Sequence, residues 1–419
     1  MGFAVEYLQK QSGENPFLKT SPHPDTECIV CIPAYNESRL LQCLDSLFQC
    51  HATERHTEVI LLINDSLATA SEIRLTNQAA FDAAQDWISG HQKEKLDFFV
   101  HYLSGLPPKH FGAGLARKLL MDEAVSRFNT LGNPHGVILS LDADTQVDKT
   151  YLSSLMHHFA ENPSIDGCSI YFEHPLEGIR YPEEVYKAVS NYELHQRYYL
   201  QAIRSTGFPY AYHTVGSCFG VRAGAYCKAG GMNKRPAGED FYFIQKLAVL
   251  GKYSECNTTR VVPSPRASDR VPFGTGPAIA KQLSEKDSPF LSFHPELFSH
   301  LKEFYDAMNE FYTTDEPGTV LEKLHPCIQQ MSRVKGFEVE IAEIKANVAS
   351  LAGFRKRFFR KYNMFWILKY LHFAEEKGFP KIEITKAAST LIGANEKISR
   401  VELLKAYRKT DRSHSRIPA

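Results

Sequence analysis

VILSLDADT, residues 137–145, is the stretch that decides the fold we expect for this chain: an apolar run that ends abruptly in two carboxylates. A continuous apolar run is typical of a strand covered on both faces, and the breaker-rich segment 132–136 bounds it on its N-terminal side. In an open α/β sheet, ligands bind beyond the carboxyl ends of the strands. The stretch therefore predicts a buried strand that delivers Asp142 and Asp144 to a cleft.

The composition of the 419-residue chain indicates a folded protein with one large domain and a smaller one, or with two of moderate size. Hydrophobic residues make up 43% of it and aromatic residues 12%. Lys+Arg and Asp+Glu are balanced at 48 each. Because binding to duplex nucleic acid requires a surplus of cations, this balance argues against nucleic acid as the main partner.

Cysteine usage and the N-terminal sequence predict a cytoplasmic location. The nine cysteines are an odd number, and Cys28 and Cys31 lie in an apolar run, where buried thiols are expected. The first 17 residues lack a basic start followed by an apolar segment, and no run of 18 apolar residues occurs. We therefore expect a reducing cytoplasm, with the protein soluble or peripheral at the inner face of the membrane.

Short apolar runs alternate with segments of helical period, which predicts an α/β fold with a mostly parallel sheet and helices on both faces. The predicted strands are residues 28–32, 59–63, 98–103, 137–141 and 168–172. Beyond residue 280 the pattern becomes helical and charged. We predict an N-terminal arm over residues 1–27, an α/β domain over 28–280 and a mostly helical domain over 281–419.

The Asp142-Ala143-Asp144 tripeptide is a candidate metal site. Two carboxylates on one turn can reach the same hard cation, and Mg²⁺ or Mn²⁺ prefers oxygen ligands shared with a substrate phosphate. A solvated turn that closes a strand has the same composition, so the tripeptide alone leaves both interpretations open.

The first two strands also end in polar side chains. We expect Pro33 to end the first strand, so that Tyr35 and Glu37 offer an aromatic face and an acceptor to a base or ribose. After the second strand, Asp65 could accept from a nucleobase N–H or simply cap a helix.

Two basic segments suit an anionic ligand. Glycines at a predicted helix start precede Arg117 by about one turn, which favours contact with a phosphate or base oxygen. Arg266 and Arg270 lie beside a Gly-Thr-Gly turn, and together they could form a flap that closes over a diphosphate. Each arginine could instead be a solvated surface residue.

Over residues 28–275 the chain resembles family 2 glycosyltransferases of the GT-A fold. The resemblance is carried by five short motifs in the family's order, and their succession is more specific than any one of them. They are residues 28–37, Asn64-Asp65-Ser66, Gly112 to Arg117, Asp142-Ala143-Asp144, and Gly230-Gly231 with Gly238-Glu239-Asp240.

The resemblance implies a nucleotide-diphospho-sugar donor, such as a UDP- or GDP-sugar, a divalent cation, and a glycan or lipid-linked acceptor. It implies roles for eight residues: Tyr35, Glu37 and Asp65 on the nucleoside, Arg117 on the nucleotide, Asp142 on the ribose or the metal, Asp144 on the metal, Asp240 as the catalytic base and Glu239 beside it. A single displacement would invert the anomeric centre.

Departures from the family leave alternatives. The Gln-x-x-Arg-Trp motif of processive synthases is absent from the sequence, which favours a single-addition enzyme. Asn64-Asp65-Ser66-Leu67 replaces the usual paired acids followed by Gly-Ser, so the base stays open. A sugar-phosphate nucleotidyltransferase and a catalytically silent nucleotide-sugar binding module are the other candidates.

The segment 354–368 mixes cations with large apolar residues. It could lie on an anionic membrane surface as a peripheral contact. The pattern favours a core helix with a solvated basic face.

Overall fold

The computed structural model of the chain describes residues 2–11, 16–109, 111–234, 238–268, 274–285, 288–334, 336–395 and 397–413. Its strands are β1 Thr26–Ala34, β2 His56–Ser66, β3 Leu96–Leu106, β4 Val137–Ser140, β5 Gln146–Val147, β6 Gly167–Phe172, β7 Phe219–Arg222, β8 Tyr253–Val262, β9 Leu291–Ser292 and β10 Ile382–Glu383. Its helices are α1 Val5–Lys10, α2 Leu40–Phe48, α3 Ser71–Gly90, α4 Ala113–Thr130, α5 Tyr151–Glu161, α6 Glu183–Ser205, α7 Ala223–Lys228, α8 Glu239–Ala248, α9 Thr275–Ser284, α10 Glu296–Asp306, α11 Met308–Thr313, α12 Pro317–Leu321, α13 Pro326–Val334, α14 Phe337–Ala346, α15 Leu351–Lys361, α16 Met364–Glu375, α17 Ile384–Ile392 and α18 Arg400–Ser413.

The chain divides into two compact units. The first comprises Met1–Tyr186, Thr214–Lys281 and Asp411–Ala419. The second comprises Lys187–His213 and Gln282–Thr410. Gln282 lies next to the domain boundary expected after residue 280, and the segment Lys187–His213 joins the second unit from within the range expected for the α/β domain.

An eight-stranded sheet of order β3-β2-β1-β4-β7-β6-β8-β5 forms the centre of the first unit. Strand β1 is parallel to β2 and β4, β2 to β3, and β6 to β8. Strand β7 is antiparallel to both of its neighbours, and β5 is antiparallel to β8. The expected α/β class with a mostly parallel sheet is confirmed, with β7 as the reversed strand inside it.

Strand β1 is covered on both faces, as its unbroken apolar run predicts. Side chains alternate between the faces of a strand, and Cys28, Val30 and Ile32 join one core cluster with residues of α2, α3 and α5. Helix α4 also packs on β1. The intervening Ile29 and Cys31 are fully buried as well, which places helices on both faces of the sheet.

The N-terminal segment is held against the first unit by polar contacts. Tyr7 on α1 donates a 2.6 Å hydrogen bond to Asp122 on α4. Arg127, also on α4, forms a buried ion pair with Glu58 and donates to the carbonyl of Thr20 at 2.7 Å. The N-terminal residues that the structure describes are therefore part of the folded unit, because buried charges on α4 provide their partners.

The second unit is mostly helical, as expected, with the two-stranded sheet formed by β9 and β10. Its core is aromatic: Phe304 stacks on Phe358 and on Trp366 with centroid distances of 5.4 and 4.7 Å. On α15 the phenylalanines are buried while the cations are exposed, which is the arrangement that the sequence pattern favoured. Among the described residues, no helix combines the length and apolar character needed to cross a membrane.

Candidate active site

Sheet topology brings three chain segments to one edge. Strands β1 and β4 are parallel, so the residues that follow them leave the sheet at the same edge. Strand β7 is antiparallel to both β4 and β6, so β6 runs in the same direction as β4. Strand β8 is parallel to β6 and shares that direction. Glu37 after β1, Asp144 after β4 and Arg266 after β8 therefore meet, although 229 positions separate the first from the last.

Arg266 forms ion pairs with two acids at this edge. Its Nε lies 3.0 Å, and its Nη2 2.9 Å, from Oδ2 of Asp144. The same Nη2 also contacts Oε2 of Glu37. The Glu37 side chain is 1% exposed, whereas those of Arg266 and Asp144 are each 21% exposed. The structure thus joins three of the predicted site residues and leaves part of the cluster open to solvent.

Arg117 forms a second bridge between acids and is buried. Its guanidinium lies 3.1 Å from Asp142 Oδ1 and 3.2 Å from Glu239 Oε1. It also donates to Ser140 Oγ at 2.7 Å and to the carbonyl oxygen of Gly216 at 3.1 Å. Burial disfavours its charged form, but Asp142, Glu239 and Asp240 raise its pKa above the ordinary value. Arg117 therefore stays charged, and these contacts tie β4 to the helix that begins at Glu239.

Asp240 lies in the first turn of α8, after Gly238 in the left-handed conformation with φ of 74°. Its Oδ1 accepts a 2.7 Å hydrogen bond from the amide of Phe241. Burial and the neighbouring Glu239 raise the pKa of Asp240 to about 6, although Arg117 opposes the shift. A half-buried carboxylate of this kind is well suited to accept a proton near neutral pH.

Gly216 is a site residue that sequence analysis missed. A Cβ atom at this position would lie 2.8 Å from Nη2 of Arg117 and 3.0 Å from Oδ2 of Asp240. Its carbonyl oxygen accepts from Ser140 Oγ at 2.7 Å. The surrounding sequence is rich in glycine, but which glycine faces the acids depends on the tertiary fold.

The acids at this edge supply oxygen ligands of the kind that divalent cations prefer. Burial, together with Asp142 and Glu37, raises the pKa of Asp144 to about 6 even though Arg266 lowers it. Five carboxylates lie near only two guanidinium groups, those of Arg117 and Arg266. The carboxylates are those of Glu37, Asp142, Asp144, Glu239 and Asp240. The buried Oγ1 of Thr145 has no hydrogen-bond partner in the described part of the chain. A surplus of oxygen donors of this type fits Mn²⁺ or Mg²⁺.

Contacts with arginines explain why these acids are not already arranged as a metal site. Within the described ranges, no group of three His, Cys, Asp or Glu side chains is arranged to hold a metal ion. Asp142 is turned toward Arg117, and Asp144 is paired with Arg266. A cation that takes Oδ2 of Asp144 would require rearrangement of its arginine partner.

The carboxylate of Asp65 is occupied by residues outside this cluster. It is fully buried and accepts hydrogen bonds of 2.7 Å from both Tyr102 Oη and the amide of Gly105. Ser104 Oγ adds a third donor at 3.3 Å. Neighbouring strand β3 therefore supplies partners to both oxygens of the acid that we expected on the nucleobase.

The other predicted donor-site residues have different fates. Pro33 does not end β1: it pairs in register with Leu62, and the strand continues to Ala34, because the parallel ladder tolerates a missing N–H near its end. Tyr35 meets Phe111 edge-on at a centroid distance of 5.3 Å. Arg270 lies outside the described residues.

Comparisons with known proteins give a family match and distant structural likenesses. Residues 137–284 match the family model described as glycosyl transferase family group 2. The crystal structure of S. aureus TarS 1–349 is 13% identical with a TM-score of 0.39, and the match covers 81% of this chain and 92% of that one. The same fragment in complex with UDP-GlcNAc is 13% identical with a TM-score of 0.38, covering 93% and 91%. No curated protein matches the chain.

The matched range contains the Asp142–Asp144 turn, Gly216, the Glu239–Asp240 pair and Arg266. These residues form most of the cluster at the sheet edge. The match to glycosyl transferase family group 2 thus covers the part of the chain that supplies most of this cluster.

Proposed function

We propose that this enzyme is a metal-dependent, inverting glycosyltransferase that moves one sugar from a UDP- or GDP-sugar to a hydroxyl of a glycan or lipid-linked acceptor. One observation carries the proposal: Asp240, with its raised pKa, adjoins the Arg117–Asp142 bridge at the edge where Asp144 lies. A proton acceptor and a cation ligand near one another are the two groups that this transfer requires.

In the proposed reaction, Asp240 accepts the proton of the acceptor hydroxyl as that oxygen attacks the anomeric carbon. Attack from the face opposite the departing diphosphate inverts the anomeric centre, and a fixed carboxylate holds the nucleophile in line. Glu239 and Arg117 position Asp240 through their 3.2 Å ion pair. Asp144 and Asp142 would hold Mn²⁺ or Mg²⁺, which supplies positive charge against the leaving diphosphate.

The test separates the base from the cation ligand. Asp240→Asn should lower the transfer rate by at least about 100-fold while donor affinity changes by less than about twofold. Asp144→Asn should remove Mn²⁺-dependent binding of the nucleoside diphosphate. Asp148→Asn is the matched control, because Asp148 lies four positions further on and pairs with Arg260 instead.

The donor is first identified by thermal shift with UDP-, GDP-, dTDP- and CMP-sugars, each with and without Mn²⁺. Calorimetry then measures nucleotide affinity, and release of nucleoside diphosphate reports turnover, including slow donor hydrolysis without an acceptor. Full activity of Asp240→Asn would contradict the assignment of Asp240 as the base. Unchanged Mn²⁺-dependent affinity in Asp144→Asn would contradict the cation assignment.

A further inference from the structure

We propose that Arg266 is the internal counter-cation of Asp144 and Glu37, that a divalent cation must displace it, and that the displaced guanidinium then binds the donor diphosphate. This inference rests on the proposed function and concerns the same site. It makes Arg266 the residue that couples cation binding to donor binding.

The contacts show why the two cations compete. Two nitrogens of Arg266 share a single oxygen of Asp144, at 3.0 and 2.9 Å, and one of them also meets Glu37. A guanidinium and a divalent metal ion are like charges that need the same carboxylate lone pairs. A metal that binds Asp144 through Oδ2, or through both carboxylate oxygens, therefore removes at least part of the Arg266 pairing.

The backbone around Arg266 is held, so the side chain is the part free to move. Ser264 Oγ lies 3.0 Å from Tyr181 Oη, and Tyr181 accepts a 2.5 Å hydrogen bond from Arg39. Pro263 and Pro265 flank Ser264 and restrict its neighbours' dihedrals. With 21% of its side chain exposed, Arg266 already reaches solvent over part of its surface.

Displacement has a measurable thermodynamic consequence. If the metal frees Arg266 for a diphosphate, then metal and diphosphate strengthen each other's binding, and the coupling is reciprocal. Without Arg266, the metal meets less competition and the diphosphate loses a partner. Removing this side chain should thus tighten metal binding in the absence of diphosphate. It should also weaken the coupling between metal binding and diphosphate binding.

The experiment measures Mn²⁺ affinity of the full chain by electron paramagnetic resonance of free Mn²⁺, with and without inorganic pyrophosphate. We expect Arg266→Gln to bind Mn²⁺ alone roughly fivefold tighter than wild type, and pyrophosphate to enhance that binding less. Arg260→Gln is the matched control, since Arg260 lies on β8 but pairs with Asp148 and Glu173. Arg266→Lys, which keeps a single charge, should fall between wild type and Arg266→Gln.

The possible outcomes separate a failure of the competition from a failure of the proposed metal-dependent function. Equal Mn²⁺ affinities for wild type and Arg266→Gln, with binding lost in Asp144→Asn, would overturn the competition and leave the metal site standing. Absence of Asp144-dependent Mn²⁺ binding in every variant, even with pyrophosphate, would overturn both the competition and the metal dependence. If Arg266→Gln melts far below wild type, the test uses Arg266→Lys instead. A Mn²⁺ affinity of Arg266→Lys equal to that of wild type would then overturn the inference.

Discussion

Arg117 and Glu239, 122 positions apart in the sequence, form a buried ion pair with Nε 3.2 Å from Oε1. Arg117 lies on α4 and Glu239 begins α8, so the pair connects two helices at the edge of the sheet. The expected role of Arg117 was contact with the nucleotide. Arg117 is buried and has four protein partners, among them Asp142 and Glu239, and its contact with the nucleotide stays a prediction.

The transfer rate should depend on pH through Asp240. A base must be unprotonated, so kcat/KM should fall as pH drops through about 6, the pKa of Asp240. Arg117 favours the ionised form of Asp240, so Arg117→Gln should move this acidic limb to higher pH. Arg117→Lys keeps the charge and should leave the limb near wild type. A pH–rate profile in which Arg117→Gln shifts the limb downward would refute this electrostatic role.

Gly216→Ala should reduce turnover more than stability. The added methyl would lie within 3.0 Å of both Arg117 and Asp240, so at least one of these side chains must move. Misplacing a base by a fraction of an ångström lowers the rate by roughly 10- to 100-fold. Gly90→Ala is the control, because a Cβ there meets nothing within 4 Å at the end of α3. Equal turnover in the two variants would show that Gly216 has no positioning role.

Glu58→Gln should destabilise the first unit strongly. Glu58 is fully buried, and its Oε1 lies 2.9 Å from Nη2 of Arg127. Removing one partner leaves the other charge buried and unpaired, at a cost of about 3–5 kcal/mol. Glu6→Gln, which breaks the exposed Lys10–Glu6 pair, should leave the free energy of unfolding nearly unchanged. Urea denaturation measures both, and similar midpoints would contradict the prediction.

Asp65→Asn should act on stability before it acts on the donor. The amide replaces an oxygen that accepts from Tyr102 or Gly105, which leaves a buried donor unmatched and costs about 1–3 kcal/mol. Tyr102→Phe removes only one of the three donors and should cost less. If Asp65 instead reads the base, thermal stability will hold while nucleotide affinity falls, and the two measurements separate these cases.

Much of the architecture was predictable because buried parallel strands leave a local signal. Apolar runs marked five strands, and their alternation with helical segments indicated the sheet class. Five strands were missed for physical reasons, and three of them, β5, β9 and β10, are only two residues long. Strand β7 is only four residues long and lies among glycines, and β8 mixes polar and apolar residues in YSECNTTRVV.

Site residues were predictable as types, but their pairings were not. Motif order placed Asp142, Asp144 and Asp240 among the candidates, and the fold brings them to one edge. No local pattern indicates that Arg117 is buried between two acids, or that β3 already occupies Asp65. Those facts depend on contacts between segments far apart in the chain.

The sequence by itself therefore determined five of the strands and the acids at their ends, because each depends on a short run of residues. Only the tertiary structure decided which side chains pair with the two acids of VILSLDADT. The antiparallel insertion of β7 restores the direction of β8, which brings Arg266 onto Asp144, while the buried Arg117 holds Asp142. Charge pairing across a sheet edge follows from strand order, and strand order is a property of the whole fold.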